Sequence, residues 1–291
     1  MIKVFQLLAM ATIGVALASV ASAGPTYITV DFPGAIATSL NGGPNPEGTN
    51  IGTYTDQAGV NHGFTLEKGV FTTIDPPGSI STSPNWISPQ GTIVGNYTDS
   101  GGVNHGFILA GGTYTTLDYP GAAGTILTGL SPSGETVGFY CTSSSLCANG
   151  FTHSFVLSKK GVFTSFDPPG AASSLATTVN PSGAIVGDYA FGSIFAVTHG
   201  YSLSHGTLTT IDYPNASSTF VGANNPAGTI VGEETDTSGN GHGFILSGGT
   251  FTAFDYPGAV FTGAAGINPS GVIVGFYFDS AFNAHGFIRT P

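Results

Sequence analysis

A short element, an aspartate followed by any residue and then a proline, occurs six times along the chain. It alternates with a second element, His-Gly-Phe or a close variant, which also occurs six times. Successive histidines of the second element lie 43 to 48 residues apart. A period in this range indicates a solenoid, a propeller or another repeated array, so the chain folds as copies of one unit.

Each repeat contains four short runs of apolar or β-branched residues. In the copy that holds both cysteines they span 128–131, 135–140, His153–Leu157 and 162–167. Gly, Pro, Asn and Ser separate the runs, as is typical of strands joined by hairpin turns. Four antiparallel strands per repeat favour an all-β protein whose repeats are propeller blades.

The two ends of the chain are complementary. The segment from Tyr27 to Asp31 is a lone fourth strand before the first complete repeat, whereas the chain stops just after a third strand that includes Ile288. Pairing of these ends completes one blade and removes the open sheet edges. We therefore predict a six-bladed β-propeller closed by its N- and C-terminal strands, with a parallel β-helix as the alternative.

The first 23 residues have the features of a signal peptide. Lys3 precedes an apolar stretch over 7–20, and small residues at 21–23 form a cleavage site. No later segment is apolar for long enough to span a membrane, so we expect no membrane insertion. The prediction is a secreted protein, periplasmic or extracellular, with residues 24–291 as a single, monomeric propeller domain.

The composition excludes several classes of partner. Only 7% of residues are charged and 45 are glycine, so helices are not expected after the signal peptide. The cations that follow it are Lys68, Lys159, Lys160 and Arg289. These are too few to neutralise a phosphate backbone or to hold an anionic substrate, and nucleic acid is therefore excluded as a partner.

Hairpin arithmetic places each repeated histidine opposite an aspartate on the neighbouring strand. Such pairs could serve as catalytic dyads, as metal ligands or as repeated binding sites. Their occurrence in every repeat favours a structural role, because a cross-strand charged pair stabilises a hairpin. The predicted pairs are His62 with Asp75, His105 with Asp118, His153 with Asp167, His199 with Asp212, His242 with Asp255, and His285 with Asp31.

A site that is used once is expected where one repeat departs from the others. Asp188 and Glu233 follow the glycine of the second strand in consecutive repeats, and they suggest a shared cation-binding site that Glu234 joins. Trp86 and the apolar loop 190–197 predict an aromatic ligand patch. Solvated acids at blade edges and packing of Trp86 in the core are the alternative interpretations.

Four loops between the second and third strands contain an aspartate near a glycine: Asp56, Asp99, Asp236 and Asp279. Hard oxygen ligands in such loops indicate a calcium site, although aspartate also stabilises turns without any metal. The equivalent loop of the third complete repeat contains Cys141 and Cys147 instead. Export to an oxidising compartment predicts a disulfide between them.

The turn Asn180-Pro-Ser-Gly183, the following Ile185-Val-Gly187 and the repeated His-Gly-Phe together carry a family resemblance. The chain resembles the bacterial extracellular repeat proteins of the HAF family, which have Asn-x-x-Gly, Val-Val-Gly and His-Ala-Phe at these places. The resemblance covers all six repeats, with Gly in place of Ala. It implies an extracellular location and propeller-like repeats, and it implies no catalytic activity.

No nucleophile elbow, zinc-binding helix motif or phosphate-binding loop occurs in the sequence. We therefore predict a secreted, non-catalytic module that binds a glycan, an envelope component or a protein through one propeller face. An extracellular hydrolase or lyase acting on polysaccharide or on a small secreted metabolite is the second interpretation, and a purely structural envelope protein is the third. Calcium is the one cofactor that the sequence suggests.

Overall fold

The computed structural model describes residues 24–291, with the exception of the Leu146 side chain. The predicted signal peptide lies outside the described residues. The described part contains strands β1 to β24 and one short helix, α1 (Ser144–Ala148). The strands repeat in the order A, B, C, D, and each set of four is called a unit here.

The A strands are β2 (Ala37–Gly42), β6 (Ser81–Ile87), β10 (Gly124–Leu130), β14 (Ser173–Val179), β18 (Ser218–Asn224) and β22 (Phe261–Ile267). The B strands are β3 (Asn50–Thr55), β7 (Ile93–Thr98), β11 (Thr136–Cys141), β15 (Ile185–Ala190), β19 (Ile230–Thr235) and β23 (Ile273–Phe278). The C strands are β4 (Asn61–Glu67), β8 (Asn104–Ala110), β12 (His153–Leu157), β16 (His199–Ser204), β20 (Gly241–Ser247) and β24 (Ala284–Thr290). The D strands are β5 (Val70–Thr73), β9 (Thr113–Leu117), β13 (Phe163–Phe166), β17 (Thr207–Ile211), β21 (Thr250–Phe254) and, for the last unit, β1 (Thr26–Val30).

The strands form four separate four-stranded sheets and one sheet of eight strands, instead of the six separate sheets that the repeats predict. The larger sheet joins units 5 and 6 through a single parallel pair, Gly241 with Phe261. Units 1 and 2 have an asparagine where Gly241 stands, and unit 6 has an alanine. The Phe261 ring fills the space that a side chain on Gly241 would need, and this lets the two strands approach.

The units are arranged in a closed ring. Each A strand contacts the A strands of the units before and after it, and β22 contacts β2. Strand β1 pairs with β24 in an antiparallel ladder that runs from Thr26 with Thr290 to Val30 with Gly286. The predicted pairing of the chain ends is therefore confirmed. Antiparallel pairing within every unit excludes the parallel β-helix.

The hydrophobic core consists of six clusters, each shared by two consecutive units. The aromatic residue of the His-Gly-Phe element lies fully buried at each cluster, for example Phe64 in unit 1. A glycine on the neighbouring B strand leaves room for this ring, because a Cβ on Gly52 would lie 2.5 Å from Cζ of Phe64. The close approach explains why the Val-Gly and His-Gly-Phe stretches recur together.

The predicted disulfide between Cys141 and Cys147 is confirmed, and it closes the loop of unit 3. The expectation of no helix after the signal peptide is wrong in this loop. The short helix α1 forms inside it, where the Cys147 N–H donates to the Ser143 carbonyl at 2.9 Å. The covalent closure restricts this segment to a compact turn, which one helical turn satisfies.

The two faces of the ring carry different connections. Because strands alternate in direction, the A–B turns such as 45–48 and the C–D turns such as 68–69 share one face, the turn face. The B–C loops such as 56–60 and the D–A connectors such as 31–36 share the other, the loop face. The repeated histidines begin the C strands and the repeated aspartates follow the D strands, so both lie at the loop face.

Candidate functional site

The D–A connectors explain the Asp-x-Pro element. In the first, the Ala35 N–H donates to the Phe32 carbonyl, and Gly34 has a φ of 82°. Proline followed by a residue with positive φ defines a type II turn. Five connectors have glycine at this position, and only the connector between units 4 and 5 has an asparagine, Asn215, with a φ of 66°.

Aromatic stacking attaches several connectors to the next unit. The ring of Phe32 stacks on Tyr54 with centroids 3.6 Å apart and an interplanar angle of 4°. Tyr54 also stacks on His62, with centroids 5.0 Å apart. The same arrangement of connector ring and B-strand tyrosine recurs with Tyr119 on Tyr140 and with Tyr256 on Tyr277.

Every repeated histidine contacts the aspartate that the hairpin arithmetic assigns to it. In each contact Nδ1 lies 2.7 to 3.1 Å from a carboxylate oxygen. The contacts are His62 with Asp75, His105 with Asp118, His153 with Asp167, His199 with Asp212, His242 with Asp255, and His285 with Asp31.

Four of these histidines have a second carboxylate near Nε2, which the sequence analysis did not anticipate. We call them capped. The aspartate comes from the B–C loop of the same unit, and its oxygen lies 3.4 to 3.9 Å from Nε2. The capped pairs are His62 with Asp56, His105 with Asp99, His242 with Asp236, and His285 with Asp279.

Units 3 and 4 have no aspartate in the B–C loop, so His153 and His199 are uncapped. Among the described residues, no hydrogen-bond or ion-pair partner lies at Nε2 of either ring. The two differ in their aspartates. Asp167 contacts His153 through Oδ2 and accepts from Ser174 through Oδ1, whereas Asp212 contacts only His199, through Oδ1.

Neighbouring carboxylates raise the pKa values of His62, His105 and His242. The pKa of His62 is raised, first by its hydrogen bond to Asp75 and further by Asp56. Burial lowers the pKa of His105, but Asp118 and Asp99 outweigh it and raise the net value. The pKa values of the loop aspartates are lowered, chiefly by hydrogen bonds within their own loops, and Asn283 thereby lowers the pKa of Asp279 to about 2.

The loop aspartates that predict calcium are engaged in their own turns. Asp56 Oδ1 accepts the N–H groups of Ala58 and Val60, at 2.8 and 2.9 Å, while Oδ2 lies near His62. Calcium requires six to eight oxygen ligands, and these loops do not present them. Within residues 24–291, no group of three or more His, Cys, Asp or Glu side chains is arranged to hold a metal ion.

The B–C loops of units 3 and 4 dock onto each other at the loop face. Ser193 Oγ donates to the Asn149 carbonyl at 2.5 Å, and the Ile194 N–H donates to the Gly150 carbonyl at 3.0 Å. Ile194 is buried, whereas Phe191 and Phe195 are 65% and 76% exposed. The exposed rings therefore stand on a loop that is anchored to its neighbour.

Two polar grooves lie at equivalent unit boundaries on the loop face. The groove between units 4 and 5 has a volume of about 280 Å³ and is lined by His199, Asp212, Asn215 and Ser217 among others. The groove between units 6 and 1 has a volume of about 410 Å³ and includes the His285 and Asp31 pair. Each lies between a histidine and the connector to the next unit.

Asp188 and Glu233 are brought close to each other. Asp188 is buried, and its Oδ1 accepts the Val221 N–H at 2.7 Å. Burial raises the pKa of Asp188 well above its ordinary range, and the Glu233 carboxylate raises it further. Burial also raises the pKa of Glu233 to about 7. The Glu233 carboxylate occupies the space beside Gly263 of the next unit.

Glu234 lies on the opposite side of its strand, because successive residues of a strand face opposite ways. It pairs across the sheet with His242, and its pKa is raised, first by burial and then by Asp236 and Asp255. Glu234 takes the place of the tyrosine that stacks on the histidine in other units, such as Tyr54. The structure therefore does not bring Glu234 into the Asp188 and Glu233 pair.

An apolar pocket of about 100 Å³ lies where the A–B turns of all six units converge on the turn face. Trp86, the one tryptophan of the sequence, lines it and also packs against two core clusters. Trp86 therefore does not join loop 190–197, which lies on the opposite face. Every A–B turn contributes a proline, and that of unit 1 contributes two; the prolines are Pro44, Pro46, Pro89, Pro132, Pro181, Pro226 and Pro269.

No protein-family model matches the chain, and no curated protein matches its sequence. The fold, however, matches solved structures. A catalytically inactive virginiamycin B lyase from Staphylococcus aureus, bound to quinupristin, matches at 12% identity with a TM-score of 0.53, over 92% of this chain and 100% of the lyase.

A putative TolB from Agrobacterium tumefaciens matches at 14% identity with a TM-score of 0.58, over 86% of this chain and 89% of that one. The fucose-binding lectin of Aleuria aurantia, described as a six-bladed β-propeller, matches at 14% identity with a TM-score of 0.53, over 87% of this chain and 91% of the lectin. At these identities the likeness shows the fold alone. The chain is an all-β propeller, as the repeats predict.

The structure also reveals residues that the sequence analysis missed. The sequence does contain a signal for Asn215, because it is the one connector residue that replaces the glycine after proline. Phe282 occupies a left-handed position, with a φ of 63°, where the loops of units 1, 2 and 5 have glycine. No helix in residues 24–291 is both long enough and apolar enough to cross a bilayer.

Proposed function

We propose that this protein is a secreted, non-catalytic module that binds glycans through its loop face. The observation that carries the proposal is the pair of polar grooves at equivalent unit boundaries, each between a histidine–aspartate pair and a connector. Small ligands bind in concave sites where a few polar groups fix their orientation. Hydroxyl-rich ligands suit grooves that offer imidazole, carboxylate and amide groups together.

The charge distribution supports a neutral ligand. Lys68, Lys159 and Lys160 lie at or next to C–D turns, on the face opposite the grooves. Arg289 packs over the rings of Tyr27 and Phe254 in the closing sheet. No described lysine or arginine is therefore placed to hold an anionic ligand in the grooves, and the net charge of −11 disfavours anions in general.

The finer features of the fold and location are part of the same proposal. Counting the two halves of the eight-stranded sheet as separate blades gives six blades, the number described for the Aleuria aurantia lectin. A disulfide favours an oxidising compartment. Membership of the HAF repeat family rests on the sequence elements quoted above, and the buried Phe of His-Gly-Phe gives that element a structural reason.

The test is a screen of the full chain, exported and purified, against an array of neutral and acidic glycans, followed by calorimetry on each hit. We expect binding to neutral glycans that persists in the presence of a metal chelator. Protein reduced and denatured before the screen serves as the control for adhesion. Binding restricted to acidic glycans, or no binding to any glycan, would contradict the proposal.

The hydrolase or lyase interpretation retains one supporting observation. Two adjacent carboxyl groups with raised pKa values, Asp188 and Glu233, are the kind of pair that carries out acid–base chemistry. The enzyme hypothesis predicts product release from a bound glycan that Glu233→Gln abolishes without changing affinity. An unaltered glycan recovered after prolonged incubation supports the non-catalytic proposal.

A further inference from the structure

The six unit boundaries on the loop face are not equivalent, and the boundary between units 4 and 5 is distinguished by a combination of three features. His199 is uncapped, Asn215 replaces the connector glycine, and Phe191 stands exposed beside the histidine. The centroids of Phe191 and His199 are 5.7 Å apart, with the rings edge to face. His199 and Asn215 line the groove, and Phe191 lies outside its lining, against the ring of His199.

Some of the hydrogen-bonding groups at this boundary have no partner among the described residues. An ionised Asp212 only accepts hydrogen bonds, so neutral His199 donates from Nδ1 and keeps its lone pair at Nε2. Nε2 is then an acceptor for an incoming hydroxyl group. Among the described residues, neither Asp212 Oδ2 nor the Asn215 amide contacts a hydrogen-bond partner in the fold.

Asn215 is held in the left-handed region, where glycine is unstrained and other residues adopt the conformation at a cost. The other five connectors keep glycine, with φ between 76° and 83°. The side chain of Asn215 therefore adds nothing that the turn requires. It adds an exposed amide, able to donate and to accept, at the wall of the groove.

We propose that the groove between units 4 and 5 binds one neutral sugar residue, with His199, Asp212 and Asn215 on its hydroxyl groups and Phe191 against a C–H face. The inference rests on the proposed glycan-binding function and names its site. The volume of about 280 Å³ suits one small ligand. It follows that each chain binds one sugar with highest affinity, although the repeats number six.

The groove between units 6 and 1 provides an internal comparison. It also has a histidine–aspartate pair and a neighbouring exposed ring, since Phe282 is 76% exposed. Its histidine, His285, is capped by Asp279 at 3.5 Å, and its connector has Gly34. This groove therefore has an exposed aromatic ring nearby, but it lacks a histidine with a free Nε2 and a connector side-chain amide.

The experiment follows the Cε1–H signals of the seven histidines by NMR in the exported full chain. The probes are the methyl glycosides of fucose, galactose, glucose and mannose, and assignment is by single substitution. We expect at least one glycoside to shift His199 in a saturable manner and to leave His285 unchanged. Phe191→Ala and Asn215→Gly should each raise Kd at least tenfold, whereas the matched variant Phe282→Ala should not change it.

Asn215→Gly separates binding from folding, because it restores the residue that the other connectors have. We expect its melting temperature to equal or exceed that of the wild type while affinity falls. Unchanged affinity in Asn215→Gly, or an equal shift of His285, would overturn the inference and leave the proposed function intact. If no glycoside shifts the Cε1–H signal of any histidine, the inference fails. If in addition no glycan on the array binds, the proposed function fails as well.

Discussion

Single residues at the loop face determine which hydrogen-bonding groups each unit exposes. The same histidine is enclosed by two carboxylates in four units and by one carboxylate in units 3 and 4. A second carboxylate beside Nε2 leaves the ring without a free nitrogen for a ligand. The uncapped His199 retains a free nitrogen, and the difference arises from one aspartate that the B–C loop of unit 4 lacks.

Removal of a cap tests this account directly. Asp99→Asn should lower the pKa of His105, because Asp99 is one of the carboxylates that raise it. A histidine with a raised folded-state pKa stabilises the fold below its unfolded pKa and loses that contribution as pH rises through the folded value. The wild type should therefore exceed the variant in stability at about pH 6 and not at about pH 9.

NMR titration measures the pKa of His105, and urea unfolding at both pH values measures the stability difference. His242, which Asp236 caps, should keep its raised pKa in the same variant. An unchanged pKa of His105 would show that the contact at 3.4 Å has no electrostatic effect.

Glu233 is a second group whose titration affects stability. Its pKa of about 7 lies above the unfolded value, so the folded state is penalised once the carboxyl ionises. We expect Glu233→Gln to raise the free energy of unfolding at pH 8 by up to about 3 kcal/mol, and to have little effect at pH 4. Urea titrations at the two pH values compare the variant with the wild type, and an equal gain at both would contradict the burial account.

The loops of units 3 and 4 act as one element. The disulfide and helix α1 fix the loop of unit 3, and Asn149 and Gly150 of that loop then receive hydrogen bonds from Ser193 and Ile194. The fixed loop of unit 3 thereby restrains the loop of unit 4, which carries the exposed phenylalanines. For the proposed binding function, this anchoring reduces the conformational entropy that the loop would lose when a ligand binds.

Loss of the disulfide should reduce stability and loosen the neighbouring loop. The bridge joins residues six apart in sequence, a short closed loop for which the chain-entropy account gives about 2 kcal/mol. We expect the free energy of unfolding of the double variant Cys141→Ser, Cys147→Ser, measured by urea unfolding, to fall by this amount. We also expect protease to cleave the variant faster within 190–197. The wild type under reducing conditions should behave in the same way, and a variant as resistant to protease as the oxidised protein would contradict the coupling.

At the scale of the molecule, the ring is stabilised by contacts between units and by the closure between chain ends. Strand β1 supplies the fourth strand of unit 6, and Val30 lies buried in the cluster shared by units 6 and 1. His285 contacts Asp31 across the same closure at 2.8 Å. The first ten described residues therefore stabilise both the first and the last unit.

Deletion of residues 24–33 should destabilise the whole ring. It removes one strand ladder and the buried Val30 side chain, which alone contributes about 1.5 to 3 kcal/mol, so we expect a loss of more than about 4 kcal/mol. Circular dichroism during heating should show one transition at a much lower temperature. A circular permutant that links 291 to 24 and opens within a C–D turn should keep the native transition, and fraying of one unit alone would contradict cooperative closure.

The repeat, the strand types, the ring closure and the histidine–aspartate pairs could be predicted from the sequence, because they follow from the period of the repeat and from hairpin spacing. The three-dimensional structure was needed to show that Asp56 and its equivalents cap histidines and that Glu234 lies on the side of its strand away from Glu233. It was also needed to show that Trp86 lies on the face opposite loop 190–197 and that units 5 and 6 share one sheet. These features depend on the direction of side chains and on contacts between loops and units, which a periodic sequence does not encode.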